Sequence, residues 1–381
     1  MRPALDPNTL TQAVVWGGLV LGLLLGAVGQ ATRFCVRGAI ADWLVLRSPG
    51  RLVSWLLAVA VGAVSLQVLI SAGSFDASRT IFWGERFPWA SYAIGGLLFG
   101  YGMILAGGCP QRCLVKAGSG NLKALVTLVF VAIVSLMTLR GAFAGIRVNY
   151  LDALNIGLGG SQDLGSLTAR AVPVSAGFAR WIFSFAIVAG VLLLAWRVRT
   201  ALSRAHWLGG IAVGLLVAAA FFLTGHVGFL AEHPETLEPA WLGTQSHRPE
   251  GLSFAAPAAH ALDLLTLWSD KGTVATFGVT LALGVLLGAF ATAKLRGDFR
   301  LESFRTPGEL GSHAAGAALM GFGGVTALGC SLGNGVTGLA MLSSGSLLAV
   351  AGICAGAWLA LSVQRRAATA RPAGTVVAAA R

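Results

Sequence analysis

Charge is scarce in this chain. Of its 381 residues only 11% are Asp, Glu, Lys or Arg, while 56% are hydrophobic. A soluble domain carries about twice that share of charge. The acidic residues are the fewer, 15 against 27 lysines and arginines, and the long apolar runs hold very few of them. That argues against a proton relay of intramembrane carboxylates. The five cysteines form no C-x-x-C pair, and the six histidines are scattered without metal-ligand spacing, so neither a metal nor a cofactor is expected. An odd count in apolar settings also argues against a disulfide framework. A Ser/His/Asp arrangement, a Walker A loop and a dinucleotide fingerprint are absent, and no stretch is long enough for a soluble catalytic domain. No enzyme and no catalytic residue is expected, nor is there a recognisable cleavable signal peptide.

What is present is a series of apolar runs of roughly 18 residues or more, the mark of a polytopic all-α membrane protein. The 52 glycines suit tight helix packing and broken helices in a bilayer. Nine spans are predicted, at roughly 13–31, 52–72, 91–108, 123–140, 180–197, 206–224, 273–293, 313–329 and 345–363. A net charge of +12 would suggest nucleic acid in a soluble protein. Here Lys and Arg follow spans 1, 3, 5, 7 and 9, all on one side, so the expected partner is the lipid bilayer and nucleic acid is excluded. The positive-inside rule makes that side cytoplasmic, in the inner (plasma) membrane, with the N-terminus outside and the C-terminus inside. Arg140, Arg147, Arg170 and Arg180 run against this trend, in or beside the outer loop 141–179.

Two stretches resemble each other at an offset of 221 residues. Gly95, Leu98, Gly100, Gly102, Ala106, Gly108 and Cys109 meet Gly316, Leu319, Gly321, Gly323, Ala327, Gly329 and Cys330. Gly17–Leu24 likewise resembles Gly209–Leu216. Spans 1–4 therefore pair with spans 6–9, and the odd connector gives two inverted-topology repeats with a site near their interface. The expected organisation is a first repeat at 1–141, an outer loop and connecting span at 142–204, a second repeat at 205–365 with a long outer loop 225–272, and a disordered basic tail at 366–381. Residues 258–268 carry helical apolar spacing that suits the membrane surface. Short segments after the Gly-Cys pairs, within 110–118 and 331–342, read as re-entrant half-helices, and Arg33–Ile40 as a third. Their N-terminal N–H groups suit an anion.

Cys109 and Cys330 are the first candidate site residues. A single cysteine at a packed helix end is ordinarily a small apolar filler. Two at equivalent repeat positions, each preceded by glycine (Gly108, Gly329) and followed by a helix break, point instead to a substrate pathway. A thiol is soft and polarizable, with a weak S–H donor. It can touch a sulfur-bearing solute without trapping it, as conduction requires. Cys35 stands between Arg33 and Arg37, whose charges attract anions or serve simply as anchors. Arg112 and Lys116 carry the same two readings. Asn334 either donates uncharged hydrogen bonds to the solute or closes a turn. Cys113 and Cys354 read as packing.

Three motifs, Arg33-Phe34-Cys35-Val36-Arg37-Gly38-Ala39, Gly107-Gly108-Cys109-Pro110-Gln111-Arg112 and Gly329-Cys330-Ser331-Leu332-Gly333-Asn334-Gly335, resemble the YeeE/YedE family of sulfur-compound (thiosulfate) transporters. The resemblance implies an hourglass-like inverted-repeat permease for thiosulfate or a related small sulfur anion. It also implies that Cys35, Cys109 and Cys330 line the path and pass the solute through transient S–H···S contacts. Some relatives are associated with selenium compounds. The competing reading is a membrane sulfurtransferase or thiol redox protein forming a persulfide on Cys109 or Cys330. A soluble cytoplasmic sulfurtransferase, if one partners this protein, would meet the basic loops.

Overall fold

The computed structural model describes residues 6–369, apart from 235 and 271. Among the described residues nine long helices alternate with short ones. The first half comprises α1 (Pro7–Thr32), α2 (Val36–Ala41), α3 (Gly50–Ser71), α4 (Trp89–Leu105), α5 (Pro110–Gly118) and α6 (Leu122–Leu139). A connecting region holds α7 (Ala144–Ile146), α8 (Leu164–Ala171) and α9 (Ala176–Arg197). The second half has α10 (Arg204–Phe222), α11 (Ala255–Thr266), α12 (Phe277–Leu295), α13 (Pro307–Thr326), a wide turn of helix at Gly333–Gly338, and α14 (Ser344–Thr369). Two small antiparallel ribbons, Arg86–Phe87 with Ile156–Gly157 and Phe229–Leu230 with Ala240–Trp241, close the loops.

Local chemistry sets the helix ends. Asp6 caps α1 with Pro7 in its first turn, Asn121 caps α6, Ser175 caps α9, and Thr306 caps α13 ahead of Pro307. Such side chains satisfy N–H groups the helix itself cannot. Among the described residues eight helical stretches are long and apolar enough to cross a membrane. The exception among the nine long helices is α13, whose first turns carry Gly308, Glu309, Gly311 and His313. Around the outside, Trp16, Leu24, Phe185 and Trp196 are exposed, as befits side chains meeting lipid.

The two halves interlock. Gly18, Gly22 and Gly26 of α1 abut Phe277, Leu281 and Val285 of α12 in the same order, so these helices run parallel. The same holds for Gly96 and Gly100 of α4 against Ala349 and Ile353 of α14, and for Gly210 and Gly214 of α10 against Ser54 and Ala58 of α3. Between α6 and α13, Thr127 meets His313 and Ser135 bonds the Gly321 carbonyl, again in parallel order. At the centre α4 and α13 cross antiparallel, Gly95 on Gly323 and Gly102 on Gly316. The 221-residue offset carries one of these contacts into the other. Small residues allow such close backbone approach, which drives helix association where lipid removes the hydrophobic incentive.

The basic segments meet on one face. Arg296 bonds the Ala31 carbonyl, Arg365 bonds Leu44, and Asn121 pairs with Glu302. On the other face three of the four arginines that break the charge trend are matched by acids, Arg140 with Asp263, Arg147 with Asp152, and Arg180 with Asp163, while Arg170 bonds the Leu158 and Ser161 carbonyls. Pairing cancels the charge of those three locally, which reconciles them with the overall asymmetry.

Several boundaries differ from expectation. The 258–268 helix exists as α11; its inner face, Ala255, Ala259 and Asp263, is buried and it packs on α6 and α12, while Leu265, Leu267 and Trp268 at its end are exposed. Helix α14 continues through Arg365 and Arg366 to Thr369, so 366–369 is not disordered tail. The rest of that expected tail lies outside the described residues.

Candidate functional site

The two Gly-Cys stretches end their helices alike. After α4 the chain turns through Gly107 at φ +69°, and after α13 through Leu328 at φ +56°. Both stand two residues before the cysteine. Glycine adopts this left-handed conformation freely, whereas a leucine held there costs roughly 1–2 kcal/mol. The glycines next to the cysteines are fixed by crowding. A Cβ at Gly108 would lie 3.3 Å from Cys113 Sγ, and one at Gly329 would lie 3.0 Å from Asn334 Nδ2.

All three candidate cysteines sit at N-terminal ends of short helices. Cys35 precedes α2, and its Sγ accepts the Gly38 N–H at 3.2 Å. Cys109 precedes α5, with Pro110 in the first turn. Cys330 Sγ accepts the Gly333 N–H at 3.4 Å. They are 7%, 1% and 0% exposed respectively, and Cys109 and Cys330 join one core cluster with Phe34, Trp55 and Met103. Cys35 and Cys330 both lie within electrostatic range of Cys109. Three segments distant in sequence are thus brought together. Two of the N–H groups expected to face an anion are instead occupied by the thiols of Cys35 and Cys330.

Asn334 is spent on the backbone. Its Nδ2 donates to Ala327 and Gly329, both at 2.9 Å, and its Oδ1 accepts from Ser346 Oγ at 3.0 Å. It shapes the turn that carries Cys330. Trp55 reinforces that turn from α3, donating its indole N–H to the Gly335 carbonyl at 2.6 Å. The first copy is braced by cations instead. Lys116 Nζ bonds the Gly107 carbonyl at 2.8 Å, and Arg112 Nη1 reaches Gly29 at 3.3 Å. Cys113 is 1% exposed and interacts with Lys116, Cys35, Arg37 and Arg112. A basic group therefore gathers on the Cys35 side of Cys109. Arg33 lies exposed at the left-handed end of α1. Cys354 is half-buried along α14, as expected of packing.

On the acidic face a cavity of about 350 Å³ opens among the loops, its walls including Arg140, Arg147, Glu250 and His260. It reaches Gly329, the residue before Cys330. Burial pushes the Glu250 carboxyl above its ordinary range, against the opposing pull of hydrogen bonds from Ser246 and Gln245 and the charge of His247. Among the described residues no three His, Cys, Asp or Glu side chains are grouped to hold a metal ion.

Residues around the thiols that sequence reasoning passed over are Gln111 and Ser331. Gln111 is 2% exposed and Ser331 0%. The Ser331 hydroxyl interacts with the Cys109 thiol, yet it has no partner in full hydrogen-bond geometry, and neither has Gln111 Nε2. The only signal for them was their place inside the cysteine motifs.

Residues 31–359, which include all three cysteine motifs, match the family described as sulphur transport. The chain belongs to that family. It is 29% identical over 378 residues to the thiosulfate transporter TsuA of Escherichia coli (strain K12), covering 95% of this chain and 99% of the relative. It is 25% identical over 347 residues to the thiosulfate transporter TsuA of Spirochaeta thermophila, covering 91% and 97%. Membership in a transport family, with relatives named as transporters and a bundle of apolar helices, makes this sulphur transport family protein a multi-pass membrane transporter and not an enzyme.

Proposed function

We propose that this protein carries thiosulfate, or a closely related small sulfur anion, across the inner membrane along a path formed by Cys35, Cys109 and Cys330. The observation that carries this reading is the convergence of the three thiols, supplied by three separate motifs, at the ends of short helices in the buried core. The near-full-length similarity to two thiosulfate transporters supports the choice of substrate. The parallel helix pairs across the halves, and the reciprocal glycine contacts of α4 with α13, support an inverted repeat with its site at the interface. The basic face is the cytoplasmic one by the positive-inside rule, with the N-terminus outside.

The chemistry suits passage. Substrate arrives through the cavity that ends at Gly329, meets Cys330 and then Cys109, and leaves past Cys35 toward Arg37, Arg112 and Lys116. Around the central thiols the polar atoms are neutral. A fixed positive charge there would hold a dianion tightly and slow its release, whereas conduction needs favourable binding with easy exit. Burial of all three thiols means that the path is closed in this conformation and that helix ends must part for transport. Arg33 and Arg37 draw the anion to the inner mouth, Arg112 supports α5 against α1, and Gly108, Gly329 and Asn334 hold the cysteine turns. Any cytoplasmic sulfurtransferase would receive the product at the basic face.

The test is uptake of labelled thiosulfate into proteoliposomes, wild type beside Cys109→Ala and Cys330→Ala, with sulfate and selenate as competitors. Loss of uptake in both variants, with sulfate ignored, is the expected result. Normal uptake by both would overturn the thiol pathway. A covalent sulfur adduct on the intact protein would instead point to persulfide chemistry.

A further inference from the structure

Buried polar atoms without partners are rare in folded proteins, because each forfeits a hydrogen bond it could make in water. Ten side-chain nitrogen or oxygen atoms make no hydrogen bond among the described residues, Asp263 Oδ2 of these being ion-paired with Arg140. Their placement is uneven. Arg37 Nε, Gln111 Nε2, Thr326 Oγ1 and Ser331 Oγ belong to residues within four positions of Cys35, Cys109 or Cys330. Arg37 and Gln111 each follow their cysteine by two residues, and Ser331 follows Cys330 directly.

Ser331 follows Cys330 directly, and its hydroxyl interacts with the Cys109 thiol. Gln111 directs its amide to the last turn of α1, where Nε2 lies 3.2 Å from the position a Cβ on Gly29 would take. From that turn the chain continues through Arg33, left-handed at φ +57°, to Cys35. Ser331 thus stands beside the Cys109 thiol, and Gln111 reaches from the Cys109 motif toward the segment that carries Cys35. Both offer uncharged donors, an O–H and an N–H₂. By contrast Asn334, the other amide in these motifs, has both its donor and its acceptor occupied within the fold.

A thiol relay alone would serve any soft sulfur species, including hydrosulfide. Thiosulfate differs in bearing three oxygens on its central sulfur. We infer that Ser331 Oγ and Gln111 Nε2 are the contacts for the oxygen-bearing end of the transported anion, set beside the thiols that meet its terminal sulfur. This assignment rests on the thiosulfate reading above and refines it. A substrate with oxygens satisfies the waiting donors, and one without leaves them unpaired. Hydrogen-bonding sites discriminate strongly in this way, because the wrong ligand strands buried polar groups. Arg37 Nε, on the basic side, is the next donor an oxyanion meets on leaving.

The experiment compares thiosulfate uptake kinetics in proteoliposomes for wild type, Ser331→Ala, Gln111→Met and the conservative Ser331→Thr, with hydrosulfide as competitor. Ser331→Ala and Gln111→Met are each expected to raise KM for thiosulfate about tenfold. The advantage of thiosulfate over hydrosulfide should narrow by a similar factor, and Ser331→Thr should retain most of it. Thermal melting in detergent is the second readout. Because Gln111 Nε2 has no hydrogen-bond partner and Ser331 Oγ has only its contact with the Cys109 thiol, their removal is expected to leave the melting temperature close to wild type or raise it. Variants that melt lower while keeping the wild-type KM and competition profile would show a structural role and overturn the inference. Loss of uptake in Cys109→Ala with unchanged KM in Ser331→Ala would overturn it alone. A wild-type protein that carries no thiosulfate would overturn the underlying reading as well.

Discussion

Trp55 and Gly335 are joined by a hydrogen bond of 2.6 Å that spans 280 residues of sequence. It pins the turn after Cys330 to α3, and Trp55 is itself buried. Trp55→Phe keeps most of the ring volume and deletes the donor. The expected cost is about 1 kcal/mol of stability, with the Gly335 carbonyl left unpaired. Thiosulfate uptake should fall by more than the loss of folded protein explains, because the turn holding Cys330 loosens. Melting temperature and uptake per folded molecule, measured together, separate the two effects.

The crossing glycines predict a contrast. A Cβ at Gly100 would run into the carbonyl of Ile353, whereas Gly190 has nothing within 4 Å. Gly100→Ala should destabilise by about 1–3 kcal/mol through overpacking between α4 and α14. Gly190→Ala, on the exposed side of α9, should be neutral or stabilising by up to about 1 kcal/mol, from helix propensity. Detergent melting curves for the two variants check this, and equal behaviour would refute the packing described here.

Asp163 supports the acidic face. Its carboxylate is fully buried, receives Arg180 Nε at 2.7 Å and Nη2 at 3.2 Å, and caps α8. Burial alone would raise its pKa, but bonds from Arg180, Ser161 and Ser166 outweigh it and the carboxyl titrates below its usual range. A depressed folded-state pKa gives stability that is present above the unfolded value, about 3.9, and lost as pH falls through the folded one. Asp163→Asn should cost about 3–5 kcal/mol at pH 7, since it strands the half-buried Arg180. The gap between variant and wild type should hold from pH 7 to 5 and shrink below about pH 4. Melting across that range is the measurement.

Glu250 has the opposite sign. Its pKa is raised by burial, so ionising it in the folded protein is unfavourable. That penalty is absent below the unfolded pKa of about 4.3 and grows as pH rises toward the folded one. Glu250→Gln, which keeps an acceptor for Ser246, should melt higher than wild type at pH 8 and converge with it near pH 4. A constant difference across the range would show that the carboxyl does not titrate as its surroundings imply.

Much of this architecture could be read from residue order. Apolar runs located the eight stretches long and apolar enough to cross a membrane, the ninth predicted span fell on α13, which is not among them, and the repeated Gly-Cys pairs marked where α4 and α13 break. The charge pattern put the basic loops on one face, where Arg296 and Arg365 now bond their neighbours. Hydropathy does not record who satisfies whom. Asn334 read equally as an uncharged donor and as a turn residue, because its partners, the Ala327 and Gly329 carbonyls and Ser346, are settled only by the turn geometry. Gln111 drew no notice because a glutamine after proline reads as an ordinary helix start. Its significance lies in a missing bond, which no local pattern announces. The same limit applied to α11, whose apolar spacing suits lipid and protein equally.

The interlocked helices bear on how the protein is made. Thr280 of α12 bonds the Val15 carbonyl of α1 across 265 residues of sequence. At a ribosomal rate of about 5–20 residues per second, α1 waits roughly a quarter of a minute to most of one before α12 emerges. During that interval its Gly18, Gly22 and Gly26 groove has no native occupant. The first half is therefore an unfinished product in the bilayer, exposed to quality-control proteases until the second half is inserted. A chain truncated after α10 should be degraded, and separately expressed halves should rescue one another when made together.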